Sequence, residues 1–129
     1  MKVYGDYHTH TLDSDGLNTI DENIAAAKKR GLFEIGITDH AHYRPRNKKK
    51  RKENALMAKA QVLRSGQAYD IKAYYGIECN VVGMDGDIDV SSEERKLYDY
   101  LVCGIHVSVQ PKKFWQLFTY YIPNMFWFA

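Results

Sequence analysis

Four stretches of this chain run through apolar residues and then stop on side chains that bind metal ions. Lys2–Tyr7 leads into His8-Thr9-His10, Phe33–Thr38 into Asp39-His40-Ala41-His42, Lys72–Ile77 into Glu78, and Leu101–Ile105 into His106. All five histidines of the chain fall on these ends. Parallel strands that each deliver an imidazole or a carboxylate at the carboxyl end converge on one face, where α/β barrels build their active sites. The pattern predicts a multi-metal hydrolytic centre.

The residue types narrow the chemistry. Alternate side chains of a strand point the same way, so Asp6, His8 and His10 are expected on one face, with two imidazoles able to hold one cation. Neutral imidazole suits zinc, manganese or iron rather than calcium or magnesium, and Asp6 is placed to orient a histidine. Ser14-Asp15-Gly16 reads as a turn, and its carboxylate, close behind the first cluster, is in reach of a neighbouring cation. In the second cluster His40 and His42 share a strand face and either can ligate; His40, at the strand terminus, is preferred. Glu78 ends an apolar strand, where an unpaired carboxylate is costly, and its two oxygens suit it to bridge two metals. His106 ends its run in the same way. Cys79 and Cys103 lie an odd number of residues from Glu78 and His106, which turns both thiols to the opposite face, as core packing.

These residues need a scaffold of strands and helices in alternation. The expected strands are Val3–Tyr7, Phe33–Thr38, Ala73–Ile77 and Tyr100–Ile105. Thr19-Ile20-Asp21-Glu22 has the spacing of a capping box and opens a helix through Arg30, closed by Gly31. A second helix is expected near Glu53–Arg64, with Leu56, Ala60 and Leu63 on its buried face and Ser65-Gly66 as its end. Ser91 to Glu94 offers another capping box for a short helix after a Gly/Asp-rich connection. Strands separated by helices favour parallel βαβ units.

Composition sets the limits. The chain has 129 residues, 45% hydrophobic and 26% charged, which suits one globular domain. Two distant cysteines argue against a disulfide framework or a thiolate zinc knuckle, and the first residues lack the apolar core of a secretory signal; a cytoplasmic location is expected. From Arg44 to Lys52 seven of nine residues are basic, out of 18 Lys+Arg in the chain, so the remainder is net acidic against 16 Asp+Glu. That run reads as a solvated loop on the rim of the site, with attraction of phosphate or nucleic acid as its functional alternative.

From about Lys2 to Val109 the sequence resembles the polymerase and histidinol phosphatase (PHP) family of metal-dependent phosphoesterases. The resemblance is carried by Asp6-Tyr7-His8-Thr9-His10-Thr11, Ser14-Asp15-Gly16, Ile37-Thr38-Asp39-His40, Gly76-Ile77-Glu78-Cys79-Asn80 and Cys103-Gly104-Ile105-His106, in that order. With Gly86-Asp87-Ile88-Asp89, they look most similar to the small stand-alone bacterial phosphatases. The resemblance implies a distorted seven-stranded barrel with two or three divalent ions, zinc or manganese first and iron second. His8, His10 and Glu78 would hold the first ion, Glu78 and His106 the second, and Asp15 and His40 the third. It implies phosphomonoester hydrolysis by metal-activated water without a serine or cysteine nucleophile, on a small phosphorylated substrate, with Arg44 and then Arg46 binding a phosphate oxygen from the rim. The family's later motifs, a further histidine and a carboxylate-x-His pair, are not in this sequence. A truncated, weak or inactive copy is therefore expected. Two alternatives are an amidohydrolase-like barrel hydrolase and a non-catalytic nucleic-acid-binding or regulatory module using Arg44 to Lys52.

A complete (β/α)8 barrel takes about 250 residues, so about four parallel strands of a partial barrel are expected here. From Phe114 to Ala129 eight of sixteen residues are aromatic and none is charged. This divides the chain into residues 1–113, the N-terminal part of a PHP-like domain, and residues 114–129, an aromatic tail whose composition suggests a shifted reading frame. The tail is shorter than the roughly 20 apolar residues of a membrane span and contains Pro123, so no membrane partner is expected. It either covers uncovered barrel surface or leaves an open edge for self-association.

Overall fold

The computed structural model describes residues 3–106 and 114–123. The boundary expected at Lys113 and the final residues 124–129 lie outside them. Eight regular elements position the site: β1 (Gly5–Thr9), α1 (Ile20–Lys29), β2 (Glu34–Ile37), α2 (Lys48–Ala68), β3 (Lys72–Tyr75), β4 (Ile77–Asn80), α3 (Ser92–Arg95) and β5 (Leu101–Gly104). One sheet has the order β1-β2-β3 and the other pairs β4 with β5, all parallel. A parallel bridge between His40 and Glu78 carries β2 onward alongside β4. The fold is thus mixed α/β with parallel strands in two small sheets and no closed barrel, a partial barrel as expected.

The strand expected at Ala73–Ile77 is two strands, β3 and β4, parted at Gly76. The Tyr100 ring explains the break. Added Cβ atoms at Gly36 or Gly76 would run into it, and its hydroxyl donates to the Tyr7 carbonyl at 2.6 Å. Gly36 on β2 and Gly76 at the break make room for one aromatic ring.

The first helix starts and stops where expected. Thr19 accepts from the Glu22 amide while Glu22 reaches back to the Thr19 amide, and Gly31 follows the Arg30 cap with φ +77. Ile20, Ile24 and Ala27 of α1 pack on Ile35 and Ile37 of β2, with Val62 and Ile71 completing this core. A second core gathers Ala41, Ala55, Ile77, Cys79, Val90 and Tyr98.

Helix α2 departs from expectation in three ways. It begins at Lys48, inside the basic run read as a loop, because the Asn47 side chain caps the Lys50 amide and lysine and arginine are good helix formers. It does not end at Ser65-Gly66: both are buried within it, and a Cβ on Gly66 would lie 3.0 Å from the Ala73 Cβ and the Ile71 carbonyl. This glycine admits the close approach of α2 to β3, and the helix stops instead before Asp70, at φ +50. Its buried face is Ala55, Val62, Ser65 and Gly66, whereas Leu56 and Leu63 are each 50% exposed and Ala60 is exposed. Small residues win that face because the helix lies so near the sheet.

The short helix α3 has the expected capping box between Ser91 and Glu94. Glu94 also faces Arg51 Nε at 2.6 Å and Arg44 at 3.5 Å, which ties the start of α2 to α3. Among the described residues of the aromatic segment, Phe114, Trp115 and Phe118 are exposed and Gln116 is buried. Among the described residues no helix is long and apolar enough to cross a membrane.

Candidate metal centre

Glu78 sits at the middle of β4, 5% exposed, with four imidazoles around its carboxylate. His8 Nε2 is 3.0 Å from Oε2, His10 Nε2 3.1 Å and His40 Nδ1 3.1 Å; His106 Nε2 is 3.2 Å from the other oxygen. Asp15 extends the cluster, at 3.0 Å from His10 Nδ1 and 3.4 Å from His40 Nε2. All six side chains read from the sequence as metal-binding meet in one place. Their donor atoms form three groups: His8, His10 and Glu78; His10, Asp15 and His40; His40, Glu78 and His106.

The spacing fits divalent ions. At metal–nitrogen and metal–oxygen bonds of about 2.1 Å, two donors on one ion stand roughly 3.0–3.4 Å apart, the separations found here between the carboxylates and their imidazoles. Burial alone pushes the Glu78 carboxyl up, but the His8 hydrogen bond and the neighbouring imidazoles outweigh it and hold the group below its ordinary value. Burial lowers His40 below the ordinary imidazole value, against the opposing pull of Glu78 and Asp15. An ionised carboxylate beside a neutral imidazole at His40 is a donor pair a metal can use.

Local structure aims these groups. The register of β1 on β2 shifts between Asp6 and Thr9, yet His8 and His10 reach the same Glu78 oxygen, as the alternation predicts. Asp6 accepts from the His8 backbone amide at 3.2 Å and not from an imidazole. Past β2 the chain turns into a 3-10 helix at Ala41–Tyr43, so His42 does not share a strand face with His40. His42 is exposed, and its Nδ1 faces the Asn80 amide nitrogen at 3.4 Å.

The loop that carries Asp15 is anchored by a residue that sequence reasoning missed. Asp39 accepts from the Thr11 amide at 2.7 Å, the Thr11 hydroxyl at 2.7 Å and the Ser14 hydroxyl at 2.5 Å. Gly16 packs on the His10 backbone, where a Cβ has no room. Asn80, fully buried two residues beyond Glu78, was also missed; strand alternation, which puts it on the Glu78 face, was the available signal.

Arg44 lines the cleft beside His40, with its guanidinium held by groups of the chain itself. Its guanidinium donates to the Ala41 carbonyl at 2.7 Å and the Asp89 carbonyl at 2.9 Å and faces Glu94. Arg46 is exposed. Cys79 is buried in the core as expected, but Cys103 is exposed, because β5 is an open edge; the two sulfurs lie 2.8 Å apart. A cleft of about 520 Å³ opens beside His40, lined by Asp39, Tyr43, Arg51 and Tyr98 among others.

The PHP domain model matches residues 6–127. A probable phosphatase of Photobacterium profundum is 30% identical over 116 residues, covering 84% of this chain and 43% of its own length. Another from Aliivibrio fischeri is 30% identical over 110 residues, covering 84% and 42%. A third, from Caldicellulosiruptor saccharolyticus, is 28% identical over 106 residues, covering 81% and 42%. The chain spans less than half the length of the curated relatives it matches.

Proposed function

Since this chain belongs to the PHP domain family, we propose that it carries part of the metal centre of a phosphatase-type hydrolase acting on a phosphomonoester. The observation that carries the reading is the Glu78 carboxylate ringed by four imidazole nitrogens at 3.0–3.2 Å. Bound there, divalent zinc or manganese would neutralise phosphate oxygens and acidify a water. His8 and His10 hold one side of Glu78, His106 the other, and Asp15 with His40 extends the donor set outward. Among the described residues, the Ser14 hydroxyl is spent on Asp39 and Cys79 lies in the core. Water is the attacking group in this reading.

The exposed basic side chains Arg46, Lys48, Lys49, Lys50 and Lys52 support a second reading, in which this rim attracts nucleic acid. Phosphate monoester hydrolysis decides between them. Purified chain should bind zinc or manganese and release phosphate from a generic aryl phosphate in their presence. A folded protein that takes up neither metal defeats the hydrolase reading.

A further inference from the structure

Asn80 is fully buried beside the centre and spends its whole side chain on three partners. Its amide nitrogen donates to Asp89 Oδ2 at 2.7 Å and faces His42 Nδ1 at 3.4 Å; its amide oxygen lies 2.7 Å from His106 Nδ1. Asp89 grips the same residue through the backbone, accepting the Asn80 N–H at 2.8 Å while the Asp89 N–H donates to the Asn80 carbonyl at 3.1 Å. A carboxylate has no proton to give, so the amide must turn its NH2 toward Asp89 and its oxygen toward His106. An amide oxygen only accepts, so His106 carries its proton on Nδ1. In the neutral ring the remaining lone pair, on Nε2, then faces Glu78 Oε1 at 3.2 Å. Two acceptors facing each other are satisfied by a cation between them. Gly104 closes the ring from the other side, since a Cβ there would lie 2.9 Å from His106 Cε1.

We propose that Asp89 and Asn80 form a positioning pair that locks the His106 tautomer and presents its Nε2 lone pair to the cation position beside Glu78. Only the last clause rests on the metal-centre reading above. Hydrogen-bond partners of ligand histidines are worth about 10–100-fold in metal affinity.

The test is nitrogen NMR of the metal-free full chain, with histidine ¹⁵N labelled, at a pH where imidazole is neutral, and with the His106 signal identified by its loss in His106→Gln. The wild type should show Nδ1 protonated and Nε2 unprotonated. Asp89→Asn or Asn80→Leu should erase that signature and weaken zinc binding about 10–100-fold. The exchange variant Asn80→Asp/Asp89→Asn should restore both. In it the amide at 89 donates to the carboxylate at 80 and accepts the backbone N–H of 80, while that carboxylate accepts from His106 Nδ1. A wild-type proton on Nε2, or an exchange variant that folds without recovering the signature, overturns the proposal. The expected tautomer in a chain that binds no zinc would sustain the positioning pair and defeat the metal-centre reading instead.

Discussion

Removing Glu78 should cost two ions at once. Three groups of donors converge here, and Glu78 belongs to two of them, whereas Asp15 belongs to one. Glu78→Ala should therefore lower the bound-metal stoichiometry by two and Asp15→Ala by one. At free metal about 100 times Kd, each site contributes about 2.7 kcal/mol to folding stability. The Glu78 variant should lose about 5 kcal/mol of metal-dependent stabilisation and the Asp15 variant about half of that. For a chain of 129 residues the larger loss corresponds to a reduction on the order of 20 °C in the metal-induced rise of Tm. Element-resolved metal content and thermal melts with and without zinc or manganese measure both quantities. Equal losses in the two variants, or a Glu78→Ala chain with wild-type stoichiometry, would refute the shared-carboxylate arrangement.

Glu94→Ala should cost about 3 kcal/mol in urea denaturation, because it leaves Arg44 and Arg51 facing each other without their carboxylate. Burial raises the Glu94 carboxyl, but its Ser91 hydrogen bonds and the two arginines hold it below the ordinary 4.5. A depressed folded value means the contribution is whole above about pH 4.5 and lost as pH falls through the folded value; Glu94→Gln should flatten that acid limb of the stability curve. Gly36→Ala should destabilise by about 1–3 kcal/mol through collision with Tyr100, while Tyr100→Phe, which keeps the ring and unpairs the Tyr7 carbonyl, should cost about 1 kcal/mol. Replacing Lys48, Lys49, Lys50 and Lys52 by glutamine should leave metal content unchanged; loss of salt-dependent binding to an RNA or DNA oligomer in that variant would support the nucleic-acid reading.

Much of the centre was legible before any coordinates. His8, His10, His40, Glu78 and His106 stand at the ends of apolar runs, and the capping boxes at Thr19 and Ser91 announced two helix starts. Those signals are local: they depend on spacing within a strand or one helical turn. Helix α2 was misread where spacing is ambiguous, because Leu56 and Leu63 keep helical periodicity on the outward side while the sheet takes the face with Val62 and Gly66.

What the chain order alone determined was the inventory of donors and the strands that carry them. Tertiary structure decided how they are shared: His10 joins both Glu78 and Asp15, His40 stands between two donor groups, and Arg44 is drawn to carbonyls and Glu94. It also decided that Asp39 anchors the Asp15 loop and that Asp89 orients Asn80. Sharing of this kind depends on the register between strands some 70 residues apart in the chain, and register is set by bulges, by side-chain packing and by the space that glycines leave, none of which has a local signature in sequence.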